Sequence, residues 1–207
     1  MTPIIIQART GSQRWPGKVL EPIDGIPMID RVIAQCNKTG LDTFVAIPEN
    51  DEKLICYCTE NNISFITGSE NDLIDRYYTT MTKLGAIACL RITCDCPFLF
   101  PQEVLWVKHE AERLGLDFCT NGYPPTRSTP DGIDCEYYSM ALIKWMRSFV
   151  LGGTYHEHLP LWLYEHWEEV ESLFAIGHVD WPVNLSKVKF SIDSNVDVLA
   201  MKEMGLI

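Results

Sequence analysis

Pro3-Ile4-Ile5-Ile6-Gln7-Ala8-Arg9-Thr10-Gly11-Ser12-Gln13-Arg14-Trp15-Pro16-Gly17-Lys18 passes without a break from an apolar stretch into a polar, cationic loop. A short continuous apolar run that ends in loop signals reads as a strand buried on both faces. Residues 27–38 follow with Met28, Ile29, Val32, Ile33 and Cys36 at helical spacing, so strand, loop and helix come in that order. The pattern repeats. Residues 43–47 read as a strand and 51–60 as a helix, 64–66 as a strand and 71–84 as a helix. Residues 86–92 form a fourth buried strand that runs into Thr93-Cys94-Asp95-Cys96-Pro97. This alternation predicts an α/β three-layer sandwich with a mainly parallel central sheet.

Past Pro101 the pattern changes. Residues 102–114 read as a helix and 121–130 as a loop rich in Pro and Thr. Residues 133–138 read as a strand and 139–149 as a helix. Gly152-Gly153 then precedes a Trp- and His-rich stretch, 155–167. A last strand is expected at 187–192 and a closing helix at 195–204. No repeat or linker separates these parts, so residues 1–207 read as one domain. Residues 1–100 form a ligand-binding half, and 101–207 a second half that closes over it.

The chain has 207 residues, 46% of them hydrophobic, with 17 Lys and Arg against 28 Asp and Glu, a net charge of -11. An acidic surface repels a phosphate backbone, which argues against nucleic acid as a partner. A nucleotide pocket needs only a few clustered cations. The apolar run at 4–6 is too short to span a bilayer, so no membrane partner is expected and a cytoplasmic location is. In that compartment the eight cysteines should be thiols. Cys56-x-Cys58 and Cys94-x-Cys96 are spaced more tightly than structural zinc pairs and read as small buried or half-buried thiols.

In an open parallel sheet, ligands bind beyond the carboxyl ends of the strands, where the first loop emerges. Gly11 permits close backbone approach, and the amides at Gly11 and Ser12 can join an anion-binding nest. Arg9, Arg14 and Lys18 place three of the 17 basic residues within ten positions. That charge suits a triphosphate, although a solvated loop with weak surface ion pairs accounts for the composition equally well. Asp95 and Asp193 each follow a predicted strand. Two such carboxylates suit Mg2+ with substrate phosphates, and each also suits a helix cap.

The run Gln7 to Leu20 resembles the signature loop of the cytidylyltransferases related to CMP-sialate and CMP-KDO synthetases, nearest the spore coat polysaccharide biosynthesis subgroup. The resemblance continues through Gly68-Ser69-Glu70-Asn71-Asp72-Leu73-Ile74-Asp75-Arg76-Tyr77-Tyr78 and Arg91-Ile92-Thr93-Cys94-Asp95-Cys96-Pro97. It then extends to Pro130-Asp131-Gly132-Ile133-Asp134-Cys135-Glu136, Glu157-His158 and Ser191-Ile192-Asp193, in family order over nearly the whole chain. It implies a Rossmann-like, GT-A-like nucleotidyltransferase that moves CMP from CTP, or another NMP from its NTP, to a sugar-like acceptor and releases pyrophosphate. A homodimer is implied as well.

The resemblance also assigns roles. Lys18 and Arg9 are the catalytic cations on the phosphates, and backbone groups at Gln7 and Ala8 help read the base. Gly11, Ser12 and Arg14 complete the nucleotide loop. Asp72 and Arg76 lie beside the nucleoside, where a local ion pair is the competing reading. Asp95 and Asp193 hold Mg2+. Asp134 and Glu136, expected on one face of a strand, form the acceptor side with Glu157 and His158; solvent-facing or structural roles compete there. Three departures stand out. Cys94 replaces a usual Gly and is expected to crowd the phosphates, while His156 and Lys189 replace usual arginines and cannot supply the guanidinium fork. A glycosyltransferase of similar architecture is disfavoured by Asp95-Cys96-Pro97 in place of Asp-x-Asp. A nucleotide-binding protein without turnover is the remaining alternative.

Overall fold

The computed structural model describes residues 1–150 and 152–207. Ile4–Gln7 (β1) is the centre of the molecule, and Ile4, Ile5 and Ile6 are fully buried. Successive strand residues face opposite ways. Ile4 and Ile6 therefore enter one core, with Ile29, Val32, Leu54 and Val104, and Ile5 enters the other, with Tyr77, Met81, Leu142 and Leu163. Each such side chain contributes about 1.5–3 kcal/mol when removed from water. Two cores on two faces of one sheet make the three layers.

The first layer is Met28–Asn37 (α1), Glu52–Glu60 (α2) and Pro101–Leu114 (α4). The opposite layer is Leu73–Leu84 (α3), Met140–Phe149 (α5), Leu161–Glu165 (α7) and Trp167–Glu171 (α8). Gly153–Glu157 (α6) sits against α3, and Asn195–Glu203 (α9) closes the chain. The sheet between the layers has seven strands, ordered β5-β4-β1-β6-β8-β7-β9. Thr43–Pro48 (β4), Phe65–Gly68 (β5) and Ala88–Thr93 (β6) run parallel with β1. Glu136–Ser139 (β8) alone is antiparallel to its neighbours β6 and Phe118–Thr120 (β7), and Ile176–His178 (β9) pairs parallel with β7. A short antiparallel ribbon, Pro22–Ile23 (β2) with Ile26–Pro27 (β3), lies outside the sheet.

Two expectations need correction. Residues 187–192 form no sheet strand: the segment makes one isolated parallel bridge, Asp131 to Lys189, because its neighbours are loops. Asp134 precedes β8 and does not share a strand face with Glu136. The three-residue strands β7 and β9 are too short to show periodicity and were not expected. Among the described residues no helix is long and apolar enough to cross a membrane, and all eight cysteines are free thiols, with only Cys56 exposed.

Candidate active site

The loop after β1 is closed by its own backbone. Gly17 N–H and Ser12 N–H both donate to Thr10 O, at 2.8 and 2.9 Å. Gly17 sits at φ 77°, the left-handed region that glycine adopts without strain. A one-turn 3₁₀ helix, Lys18–Leu20, follows and turns Lys18 inward. Trp15 packs with Ile23, Met28, Phe98 and Ile192, which pins this loop to the far end of the chain.

Lys18 is 8% exposed. Its Nζ donates to Asp95 Oδ2 at 2.9 Å, to Asp193 Oδ1 at 3.3 Å and to Ile192 O at 3.3 Å. Asp95 follows β6, and Ile192 N–H donates to Asp95 O at 2.9 Å, so the two carboxylates are joined through backbone as well. Burial disfavours charge on Asp95, yet the Lys18 ammonium and the Thr93 hydroxyl hold its carboxyl below the ordinary value. Asp193 also receives Arg14 Nη2 at 2.8 Å and Lys189 Nζ at 3.3 Å. Neither aspartate caps a helix: Ser194 and Asp197 form the capping box of α9, and Phe100 holds the N-cap position of α4 without a side-chain bond. Asp197 in turn accepts from the Asp193 and Ser194 amides at 2.9 and 2.8 Å, and its carboxyl falls to about 2. Burial opposes that fall and is overcome by Lys189 and these amides.

On the β4–β5 side of this cluster lies an open cavity of about 450 Å³. Arg9, Thr10 and Gly11 line one wall, Pro48 with Asn50 to Lys53 the next, and Glu70 with Asn71 the third. A Cβ at Gly11 would meet nothing within 4 Å, so the backbone there is open to a ligand. Asp51, missed in the sequence, organises this wall. It accepts from Thr10 N–H at 2.7 Å and Thr10 Oγ1 at 2.8 Å while capping α2 through Leu54 N–H. Its one sequence signal is its place after β4, at the sheet edge where β1 also ends.

Asp72 and Arg76 stand behind the cavity wall. Asp72 is the N-cap of α3, accepting from Asp75 N–H at 2.9 Å, and meets His156 Nδ1 at 2.8 Å. Arg76 is buried and donates to Ser69 O at 2.7 Å and Glu70 O at 2.8 Å, so it shapes the loop that carries Asn71. The local ion pair is not formed: Asp75 binds Arg147 instead, at 2.7 Å. Cys94, expected to crowd the phosphates, lies in the first core.

On the other side of β1, Arg91 Nη1 donates to Glu136 Oε2 at 2.7 Å and Nε to Gln7 Oε1 at 2.8 Å. Glu136 is 3% exposed, so it meets Arg91 and not solvent. Asp134 takes a two-pronged contact from Arg127, Nη1 to Oδ1 at 2.8 Å and Nη2 to Oδ2 at 3.1 Å. Glu157 and His158 are exposed at the end of α6. Trp162, Tyr164 and Trp167 pack against the second core.

The chain is similar to known proteins over nearly its whole length. The spore coat polysaccharide biosynthesis protein SpsF of Bacillus subtilis is 27% identical over 212 residues, covering 97% of this chain and 84% of that protein. A cytidylyltransferase from Leptospira borgpetersenii superposes with a TM-score of 0.84 at 23% identity, covering 99% of this chain and 95% of its own. A CMP:2-keto-3-deoxy-manno-octonic acid synthetase, solved with CTP, gives a TM-score of 0.72 at 16% identity over 99% of this chain and 98% of its own. Both structural likenesses show the fold. The family model described as cytidylyltransferase matches residues 3–129, the stretch that holds the cationic loop, the cavity walls and Asp95, and the chain belongs to that nucleotidyltransferase family.

Proposed function

We propose that this chain is a Mg2+-dependent enzyme that transfers CMP from CTP to a hydroxyl of a sugar-like acceptor, for surface polysaccharide or glycoconjugate synthesis. The observation that carries this reading is the meeting of Lys18 with Asp95 and Asp193, from three distant segments, beside the Arg9–Asn71 cavity. The acceptor oxygen bonds to the α-phosphorus, the bond from that phosphorus to the β-bridging oxygen breaks, pyrophosphate leaves, and the hydroxyl proton passes to solvent. Two carboxylates bound to one ammonium fit Mg2+, which takes one or two carboxylates together with phosphate oxygens and water. The metal, when bound by Asp95 and Asp193, neutralises charge on the phosphates.

This chain's own groups do the rest. Lys18, Arg9 and Arg14 hold the phosphates, and Lys18 stabilises the charge on the departing pyrophosphate. The amides at Gly11 and Ser12 add donors, and Gln7 and Ala8 border the base. Asp72 and Arg76 keep the Glu70–Asn71 wall in place. Asp134 belongs to the acceptor side, and Glu157 and His158 stand free at the end of α6 to meet the acceptor from the second half. Calorimetry with the four NTPs and Mg2+, followed by a pyrophosphate-release assay over a sugar panel, tests the reading. CTP should bind best. Lys18→Ala and Asp95→Asn should each lower kcat by about 10²–10³ while the fold is kept. Silence toward every nucleotide would remove the proposal, and release of a nucleoside diphosphate from a nucleotide sugar would replace it with glycosyl transfer.

A further inference from the structure

Two of the cations in the first loop are already engaged by protein carboxylates. Lys18 meets Asp95 and Asp193, and Arg14 meets Asp193. The open cavity beside them is lined by two further cations, Arg9 and Lys53. Among the described residues the Lys53 ammonium makes neither a hydrogen bond nor an ion pair, although Asp51, Glu52 and Glu70 line the same cavity.

A chain of bonds carries Lys53 to the loop. Asp51 caps α2 through Leu54 N–H and accepts from the Thr10 amide and hydroxyl. Thr10 O in turn accepts from Gly17 N–H at 2.8 Å. The first turn of α2 is thereby fixed against the loop after β1, and Lys53 is the second residue of that helix. A Cβ built on Gly17 would stand 3.5 Å from the Lys53 Nζ. The ammonium therefore reaches across to the loop one residue before Lys18.

Without a ligand this is a poor place for a cation. The N-terminal end of a helix carries a partial positive charge and favours anions. Arg9 lines the same cavity, and Lys18 follows Gly17 in the chain. Glu52 and the capping Asp51 offset part of that repulsion without pairing with the ammonium. A polyanion in the cavity reverses the balance, because Lys53 and Arg9 then share its charge. In the proposed reaction the α-phosphate lies at Asp95 and Asp193, where acceptor and metal meet. The cation across the loop is left for the phosphates beyond it.

The geometry points to Lys53 as a further phosphate-binding residue of this site, one that grips the departing pyrophosphate and distinguishes a nucleoside triphosphate from a monophosphate. The inference deepens the cytidylyl-transfer reading and rests on it for the order of the phosphates.

The test is calorimetry on the full chain with Mg2+ and three probes: CTP, CMP and inorganic pyrophosphate. Lys53→Gln should weaken CTP and pyrophosphate about tenfold, the worth of one charge-assisted hydrogen bond, and leave CMP unchanged. Lys53→Arg should restore CTP binding. Lys144→Gln, on the exposed face of α5 in the opposite layer, makes the same change in net charge and should alter none of the three affinities. Unchanged CTP affinity in Lys53→Gln, an equal loss for CMP, or an equal loss in Lys144→Gln overturns the inference. Removing a cation from a helix N-terminus should not lower stability. A Lys53→Gln variant that melts below the parent makes Lys53 a structural group and also overturns it. The two readings fail separately. A parent that binds CTP, with Lys53→Gln binding it equally well, keeps cytidylyl transfer and sinks the role of Lys53. A parent that binds pyrophosphate through Lys53 but no nucleotide sinks cytidylyl transfer and keeps the phosphate grip. A parent that binds none of the three sinks both.

Discussion

Lys18, Arg76 and Arg91 are all buried, and each cation is hydrogen-bonded, as the desolvation of charge demands. Glu103, near the start of α4, breaks this rule. It is 9% exposed, and its Oε2 has no hydrogen-bond partner. Burial pushes its carboxyl above the ordinary value, against the pull of Trp181 and Asn121 nearby. A carboxyl whose folded value lies above its unfolded one, about 4.3, destabilises the fold once pH exceeds both values. Below the unfolded value the penalty is gone. Glu103→Gln should therefore stabilise the protein at pH 7 by about 1–3 kcal/mol. For a chain of this size that raises the melting temperature by several degrees, at about 2–4 °C per kcal/mol. The gain should fade below about pH 4. Melting curves at pH 7 and pH 3.5 check it: no gain at pH 7, or an equal gain at both, contradicts the account.

Elements buried on both faces were legible because an unbroken apolar run that ends in loop signals has few stable outcomes besides a covered strand. β1 and β6 came out of the sequence within a residue or two. The segment 187–192 misled because Val188, Phe190 and Ile192 alternate as a strand does. Alternation reports which side chains turn inward and says nothing about whether a partner strand exists. Asp95 and Asp193 were readable as charges that follow apolar stretches and Lys18 as one of three cations in the first loop, while their roles came from the family resemblance. The bonds Asp51 makes to Thr10 join positions 41 residues apart and leave no local trace. What holds the misread segment is Gly132, at φ 95°. A Cβ there would fall on the Ser191 amide nitrogen and the Phe190 carbonyl carbon, closer than real Cβ atoms come. Gly132→Ala should push residues 190–193 away from Asp131 and with them Asp193 away from Lys18. Combined backbone strain and clash place the loss at about 3 kcal/mol or more, and Mg2+-dependent CTP binding should weaken further than Gly85→Ala weakens it. Gly85 has a similar positive φ but open space around it, at a helix C-cap. Calorimetry on both variants separates them, and equal CTP affinities would show that the Gly132 contact does not position Asp193.

At the scale of the whole molecule, the Arg91–Glu136 pair joins the sheet's two regimes. Arg91 lies on β6, the last of the four parallel strands that start from β5; Glu136 opens the antiparallel β8; and Gln7 Oε1 on β1 accepts from the guanidinium Nε. Burial acts against charge on Arg91, yet Glu136 and the tyrosines around it hold the guanidinium above its usual range. The two side chains are 7% and 4% exposed, so an unmatched charge here has no water to turn to. Removing one partner, as in Glu136→Ala, should cost about 3–5 kcal/mol, whereas Arg91→Met with Glu136→Leu should recover most of that loss by replacing a buried pair with apolar packing. Function should separate the variants in the opposite direction. The double variant leaves the Gln7 side chain without its donor, so β1 loses the bond that fixes its last residue beside the nucleotide loop. Urea melts and CTP titrations on the single and double variants read the two effects independently. A double variant that regains stability but still binds CTP several-fold more weakly assigns the pair to holding Gln7. Recovery of both stability and CTP affinity would make it a purely structural joint between the two regimes of the sheet.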